Sequence, residues 1–301
     1  MNQIINMNFA FKIKIISVLL IMAIPFLYFG YRYYNRPKPK LIPPRAEINI
    51  TIIPGWNLRQ IAENWVAKGL VKTPDELYNL VGEPAKNYSA NSAGAPRFDW
   101  ANTQGRFDLS SNTSTLLVLF SDLGRNVTYE GYFLPETYRV YADAKLEDVV
   151  KKIFGVLDKK ITLEMRVDIK KQNKSFFEIL TMASIIEKEA PTGEMAKVAD
   201  IFWRRHDMNW ALQSCATVNY ITGKSDPAIN STDRQINSLY NTYKYPGLPL
   251  GPIGNPSLNA IKATIYPEKN DYWYFMSDPD GGMHYAKTLD EHNANVRKYL
   301  R

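Results

Sequence analysis

The run from Ile15 to Tyr31 carries no charged side chain and is built mainly of Ile, Leu, Val, Met, Phe and Tyr. As a helix rising about 1.5 Å per residue it is roughly 26 Å long, enough to cross the hydrocarbon core of a bilayer. Pro25 can kink it, and Tyr28, Tyr31, Tyr33 and Tyr34 stand at its end, where aromatic belts form. A cleaved signal peptide is the rival reading, but the run ends in Tyr-Phe-Gly-Tyr-Arg-Tyr-Tyr rather than in a small-x-small cleavage site. Lys12 and Lys14 precede the span, whereas Arg32, Arg36, Lys38, Lys40 and Arg45 follow it. On charge alone the larger C-terminal part would stay in the cytoplasm.

The segment Asn35–Pro44 is basic and Pro-rich and reads as a semi-rigid spacer between the span and the rest of the chain. Beyond it, Glu47 to Ile52 alternates with period two and predicts a strand. Pro54-Gly55 predicts a turn, and Asn57 a cap for a helix with Leu58, Ile61, Trp65 and Val66 on its apolar face, ended by Gly69. Thr73 and Glu76 have capping-box spacing for a second helix that turns Leu77 and Leu80 inward. Residues 81–115, rich in Gly, Ser, Asn, Ala and Pro, read as an irregular connection that Phe98 and Trp100 can tie down. Helical patterns return at Leu146–Leu157 and Ser175–Ala190, and short helices alternate with Pro/Gly-rich loops from Ala199 onward. Asp271–Phe275 reads as a strand, with a Pro-Asp-Gly-Gly turn and a second strand around His284-Tyr285. The fold class is α+β.

Composition removes several chemistries. A single cysteine, Cys215, excludes an internal disulfide and a thiolate metal cluster. The three histidines lack zinc spacing, so neither a metal site nor a cofactor is expected, and His284 and His292 read as structural hydrogen-bonding residues. There is no Walker, helix-turn-helix, RNP or G-x-S-x-G signature, and the basic residues are spread along the chain, so no nucleic-acid partner is expected. The net charge of +7, from 37 Lys+Arg against 30 Asp+Glu, favours an anionic partner.

The stretch SFFEILTMASIIEKEA is the most informative. Glu187 and Glu189, two positions apart, point roughly 200° apart on a helix and cannot form a carboxylate pair. The wheel sets Glu187 nearer the apolar centre and Glu189 at its border. Either they are a solvated helix end, or one is a partly desolvated acid with a raised pKa. Gln213, Ser214, Thr217, Asn219 and Tyr220 group amide and hydroxyl functions suited to a sugar, or equally to an ordinary helix start. The loop Gly247–Pro256 either lines a site or crosses a surface.

Several pieces, in order, resemble the endolytic murein transglycosylase (YceG-like) family: EGYFLPETY from Glu130, LTMASIIEKEA from Leu180, ALQSCATVNY from Ala211, YNTY from Tyr240, GLPLGPIGNP, YWYF from Tyr272 and HYAKTLDEHN from His284. Four positions depart from the family pattern: Ala190 stands where a small hydroxyl residue follows the acid, Cys215-Ala216 stands in place of Asp-Pro, and Leu250 in place of a Pro. The resemblance implies a lytic transglycosylase that opens the bond between N-acetylmuramic acid and N-acetylglucosamine in nascent peptidoglycan and leaves 1,6-anhydro ends. It places the catalytic acid at Glu189, with Glu187 as the fallback. It suggests Gln213, Ser214, Thr217, Tyr220, Asn241, Tyr243 and Asn255 for substrate. The implied organisation is a cytoplasmic N-terminus (1–14), a membrane helix (15–34), a linker (35–45), a LysM-like subdomain with its irregular connection (46–128) and a catalytic domain (129–301). The expected setting is the inner membrane, with the body in the periplasm or cell exterior, near peptidoglycan synthases of the penicillin-binding type. A non-catalytic peptidoglycan-binding or scaffold protein is the alternative.

Overall fold

A computed structural model describes residues 9–36, 44–84, 128–224 and 228–300. The chain divides into two compact units, Met1–Pro44 and Arg45–Arg301. In the first, α1 spans Phe9–Tyr34 without a break at Pro25. Its stretch Ile13–Tyr34 is long and apolar enough to cross a membrane, with none of its most apolar window buried in protein. At 1.5 Å per residue this stretch is about 33 Å long. Ser17 satisfies its hydroxyl inside the helix by donating to the Ile13 carbonyl at 2.9 Å, as a lipid environment requires. The helix starts at Phe9, before the expected position 15.

In the second unit, β1 (Glu47–Thr51) turns Ile50 inward and Ile48 partly so. Asn57 then starts α2 (Leu58–Ala67) with a full capping box: its side chain accepts from the Arg59 and Gln60 amides, and the Gln60 side chain accepts from the Asn57 amide. Leu58, Ile61, Ala62 and Trp65 form the buried stripe. Next comes α3 (Pro74–Val81), where Thr73 occupies the N-cap position without a side-chain cap bond. Glu76 instead accepts from the Lys72 amide at 3.2 Å, and Pro74 has no N–H to cap. Residues 85–127, including Phe98 and Trp100, lie outside the described residues.

The partner of β1 is β2 (Thr137–Tyr141), antiparallel, with Ile48 opposite Val140 and Ile50 opposite Tyr138. The pairing therefore crosses the expected boundary at 128/129, and the order strand, helix, helix, strand closes on itself. After β2 come α4 (Leu146–Lys160), α5 (Leu163–Lys171) and α6 (Phe176–Glu189). Residues Ile179 to Ile186 of α6 are all buried, so this helix is enclosed on every side. Around and beyond it lie α7 (Met195–Asp207), α8 (Cys215–Thr222) and α9 (Leu258–Ile265). Both α7 and α9 pack on α6.

The chain ends with the hairpin β3 (Tyr274–Ser277) and β4 (Met283–Ala286), covered by α10 (Leu289–Tyr299). The first strand begins at Tyr274 rather than Asp271 because the Tyr272 and Trp273 carbonyls are taken by Arg204 and Arg205 of α7. The Pro/Gly loop neither crosses a surface nor lines a cavity in its second half, since Gly251 to Pro256 is buried. Asn255 exchanges backbone bonds with Gly55 and Trp56 at 2.9 and 2.7 Å, and the Ile253 amide donates to Ser184 of α6 at 3.0 Å. A Cβ on Gly254 would stand 2.7 Å from the Gly55 carbonyl oxygen, so only glycine permits this approach.

Candidate active site

Helix α6 ends where Ala190 turns extended before Pro191, which disfavours helical backbone in the residue preceding it. Glu189, on the last turn, therefore leaves the core at a fixed point and stays half-buried. The Ser214 hydroxyl donates to its Oε1, and the Ala216 amide also donates to the carboxylate. Ser214 is the N-cap of α8, yet its hydroxyl serves Glu189 and not its own helix. These two donors and the nearby Arg205 charge favour the ionised form, but burial outweighs them and raises the Glu189 pKa above the ordinary carboxylate value.

Glu189 lines a cavity of about 280 Å³ whose walls come from distant segments. From α7 come Phe202 and Arg205, from the turn before α8 Leu212 and Gln213, from β3 Tyr274 and Phe275, and from α10 His292, with Tyr243 beside them. Glu189 is the one carboxylate among these lining residues. Arg205 is buried and donates from Nη1 to the Leu212 carbonyl at 2.8 Å and from Nε to the Trp273 carbonyl at 3.1 Å. It fixes two walls to α7 and brings a positive charge to the cavity.

Gln213 has a φ of 58°, a left-handed conformation that costs a non-glycine residue on the order of 1 kcal/mol. The surroundings enforce it. The Gln213 amide donates to the Thr242 carbonyl at 3.0 Å, and the Ser214 amide to Thr242 Oγ1 at 3.1 Å. Thr217 in turn bonds the Ser214 carbonyl at 2.8 Å and Thr242 Oγ1 at 2.9 Å. Thr217 is therefore a support beneath Ser214, while Gln213 is among the residues lining the cavity. Tyr243 shares a hydrogen bond with Cys215 at 3.0 Å, and the Arg234 guanidinium lies 5.2 Å from its ring centre. Burial raises the phenol pKa well above its ordinary value.

The remaining sequence candidates lie elsewhere. Glu187 accepts from the Ser257 amide at 2.8 Å and its hydroxyl at 2.6 Å, at the N-terminus of α9. Asn241 is buried, donating to the Arg234 and Ile236 carbonyls and accepting from the Tyr243 amide at 3.1 Å. Tyr220 and Asn255 converge on Glu130, donating to its carboxylate at 3.1 Å each. Arg205 carries no expectation from the sequence, and His292, read there as a structural hydrogen-bonding residue, lines the cavity. Arg205 had a signal, since it falls four residues after Ile201 on the buried stripe of α7. His284 does serve structure, lying 2.8 Å from Asp278 and stacked on Tyr299, but His292 faces the cavity.

A family model described as the YceG-like family matches residues 38–298. The endolytic murein transglycosylase of Bacillus subtilis is 37% identical over 173 residues, which cover 57% of this chain and 48% of that protein. The protein of the same name from Streptococcus pneumoniae is 34% identical over 186 residues, covering 60% of this chain and 34% of that one. The chain thus spans about half the length, or less, of these curated relatives. A crystal structure of a YceG-like protein from Listeria monocytogenes superposes with a TM-score of 0.67 at 30% identity, covering 83% of this chain and 76% of that one.

Proposed function

The chain belongs to the YceG-like family, and from that premise we propose that it is an endolytic peptidoglycan lytic transglycosylase with Glu189 as its single general acid and base. The observation that carries this reading is one carboxyl of raised pKa, braced by Ser214 and Ala216, in a cavity with no second carboxylate among its lining residues. Most glycoside hydrolases that activate water use two carboxyl groups. Here the nucleophile belongs to the substrate. Glu189 protonates the glycosidic oxygen as the bond from the muramic acid C1 breaks. The 6-hydroxyl of that sugar closes on C1, and its proton returns to Glu189. The ring closure is intramolecular, so orientation replaces an activated water. Gln213 and Tyr243 offer amide and hydroxyl contacts to the sugars, and Tyr274 and Phe275 offer aromatic faces.

In this reading α1 is a membrane anchor, and the body lies on the outer side of the membrane, where nascent glycan and the penicillin-binding synthases are. The strand-helix-helix-strand element of β1, α2, α3 and β2 is a LysM-like glycan-binding part. The cations after the span oppose this orientation on charge alone. A reporter that works only in the cytoplasm, fused after Arg301, is expected to be silent, and its activity would reverse the assignment.

The reaction is tested by incubating the full chain in detergent with purified glycan strands and examining the new ends by mass spectrometry. The expected ends are 1,6-anhydro, lighter by one water than a hydrolytic end. Glycan binding with no new ends would instead make the chain a non-catalytic binding or scaffold protein, the reading the Cys215-Ala216 departure favours.

A further inference from the structure

Helix α10 packs on β3 and β4, yet none of its residues is fully buried. Its link to the cavity is His292, whose ring stacks on Tyr274 with centroids 5.5 Å apart and planes 25° apart. The Nδ1 atom of that ring is buried and has no hydrogen-bond partner among the described residues. A buried polar atom left unpaired weakens a fold, and such atoms are rare enough to require a reason. Phenylalanine would make the same stack on Tyr274 without a stranded nitrogen. Packing therefore does not account for a histidine here, and the other nitrogen, Nε2, is the one able to meet a ligand.

The protonation state follows from the same surroundings. A proton on Nδ1 would have no acceptor, so the neutral ring carries its proton on Nε2 and acts as a donor. Burial, with the positive charge of Arg205, holds the imidazole pKa below its ordinary value, which keeps the ring neutral near pH 7. A neutral donor beside one carboxyl and two aromatic faces suits a sugar oxygen, either a hydroxyl or an acetamido carbonyl.

We propose that His292 donates a hydrogen bond from Nε2 to an oxygen of the sugar held against Glu189, which makes the C-terminal helix part of the substrate site. This rests on the transglycosylase reading of the cavity. The test uses the full chain in detergent with His292→Phe and His292→Gln, whose side-chain amide can place an N–H near the position of Nε2. Melting temperature is measured beside kcat and KM for release of anhydro ends from glycan strands. Binding of a soluble tetrasaccharide of alternating N-acetylglucosamine and N-acetylmuramic acid is measured on the Glu189→Gln background, with and without His292→Phe.

His292→Phe is expected to melt at or above the temperature of the parent, yet to lose about tenfold to a hundredfold in kcat/KM. His292→Gln is expected to recover a large part of that loss. A purely structural histidine could not give higher stability with lower activity. Unchanged kcat/KM in His292→Phe, or a loss of activity that tracks a lowered melting temperature in both variants, overturns the proposal and leaves the proposed reaction standing. If the parent releases no anhydro ends, the reaction itself falls. The contact is then decided by the tetrasaccharide: weaker binding with His292→Phe supports it, and equal binding overturns it.

Discussion

Glu189→Gln is expected to cut formation of 1,6-anhydro ends by roughly a thousandfold or more, within the range general acid–base catalysis supplies. The amide keeps the shape of the carboxyl and its oxygen can still accept from the Ser214 hydroxyl, so the melting temperature should move little. It has no proton to give to the departing oxygen and cannot take one back. The pH profile carries the same information with a defined sign. Glu189 must begin protonated, so the rate falls as pH rises through its pKa, and burial moves that fall above the ordinary carboxylate range. Ser214→Ala removes a donor that favours the ionised form. It should raise the pKa further and push the falling limb to higher pH, and a shift to lower pH would contradict the assignment. Glu187→Gln is the contrast: it weakens the start of α9 at Ser257, costs about 1 kcal/mol in stability and leaves the chemistry in place. Should Glu187→Gln abolish the product and Glu189→Gln spare it, the two carboxyls would exchange roles.

Local signals carried much of this structure. The Asn57 cap, the apolar stripe of α2 and the helical run of α6 each follow from short-range patterns, whereas the enclosure of α6 on every side goes beyond the single apolar face its sequence suggests. Long-range pairing did not show. Nothing near Glu47 announces that its strand partner lies at Tyr141, because strand register depends on neighbours that only folding brings together. The candidate site divides on similar lines. Gln213 and Tyr243 meet Glu189 in the cavity, whereas Asn241 and Asn255 turn their amides onto backbone groups of buried loops. An asparagine in a loop looks alike in sequence whether it serves a ligand or satisfies carbonyls that water cannot reach. His292 was hidden for another reason. It sits on a helix with no buried stripe, so no periodicity marks its inward face.

The second large effect is expected at Glu130, far along the chain from Glu189 but tied to the same helix. Its carboxyl is 1% exposed and accepts from the Leu58 amide at 3.0 and 3.1 Å, from Asn255 Nδ2 at 3.1 Å and from the Tyr220 hydroxyl at 3.1 Å. Those donors and the Arg59 charge favour the ionised form, but burial prevails and pushes the pKa up to about 7. Because the folded value lies above the unfolded one, the stabilising contribution is complete below about pH 4.5 and is lost as pH rises through about 7. At roughly 1.4 kcal/mol per pKa unit the loss is about 3 kcal/mol. Glu130→Gln stays neutral at every pH, so its melting temperature should remain flatter than the parent's between those limits and exceed it on the alkaline side. Parallel curves for the two proteins would refute the linkage. Glu130→Ala is expected to be worse at all pH values, by about 3–5 kcal/mol, since it leaves a void and strands the Leu58 and Asn255 donors. The damage should also reach Glu189. Arg59 of α2 holds the Tyr220 carbonyl at 3.1 Å, near the end of α8, while the start of α8 supplies Ser214 and Ala216 to the Glu189 carboxyl. One short helix thus joins a buried acid whose neutral form stabilises the fold to the acid that gives up its proton in the proposed reaction.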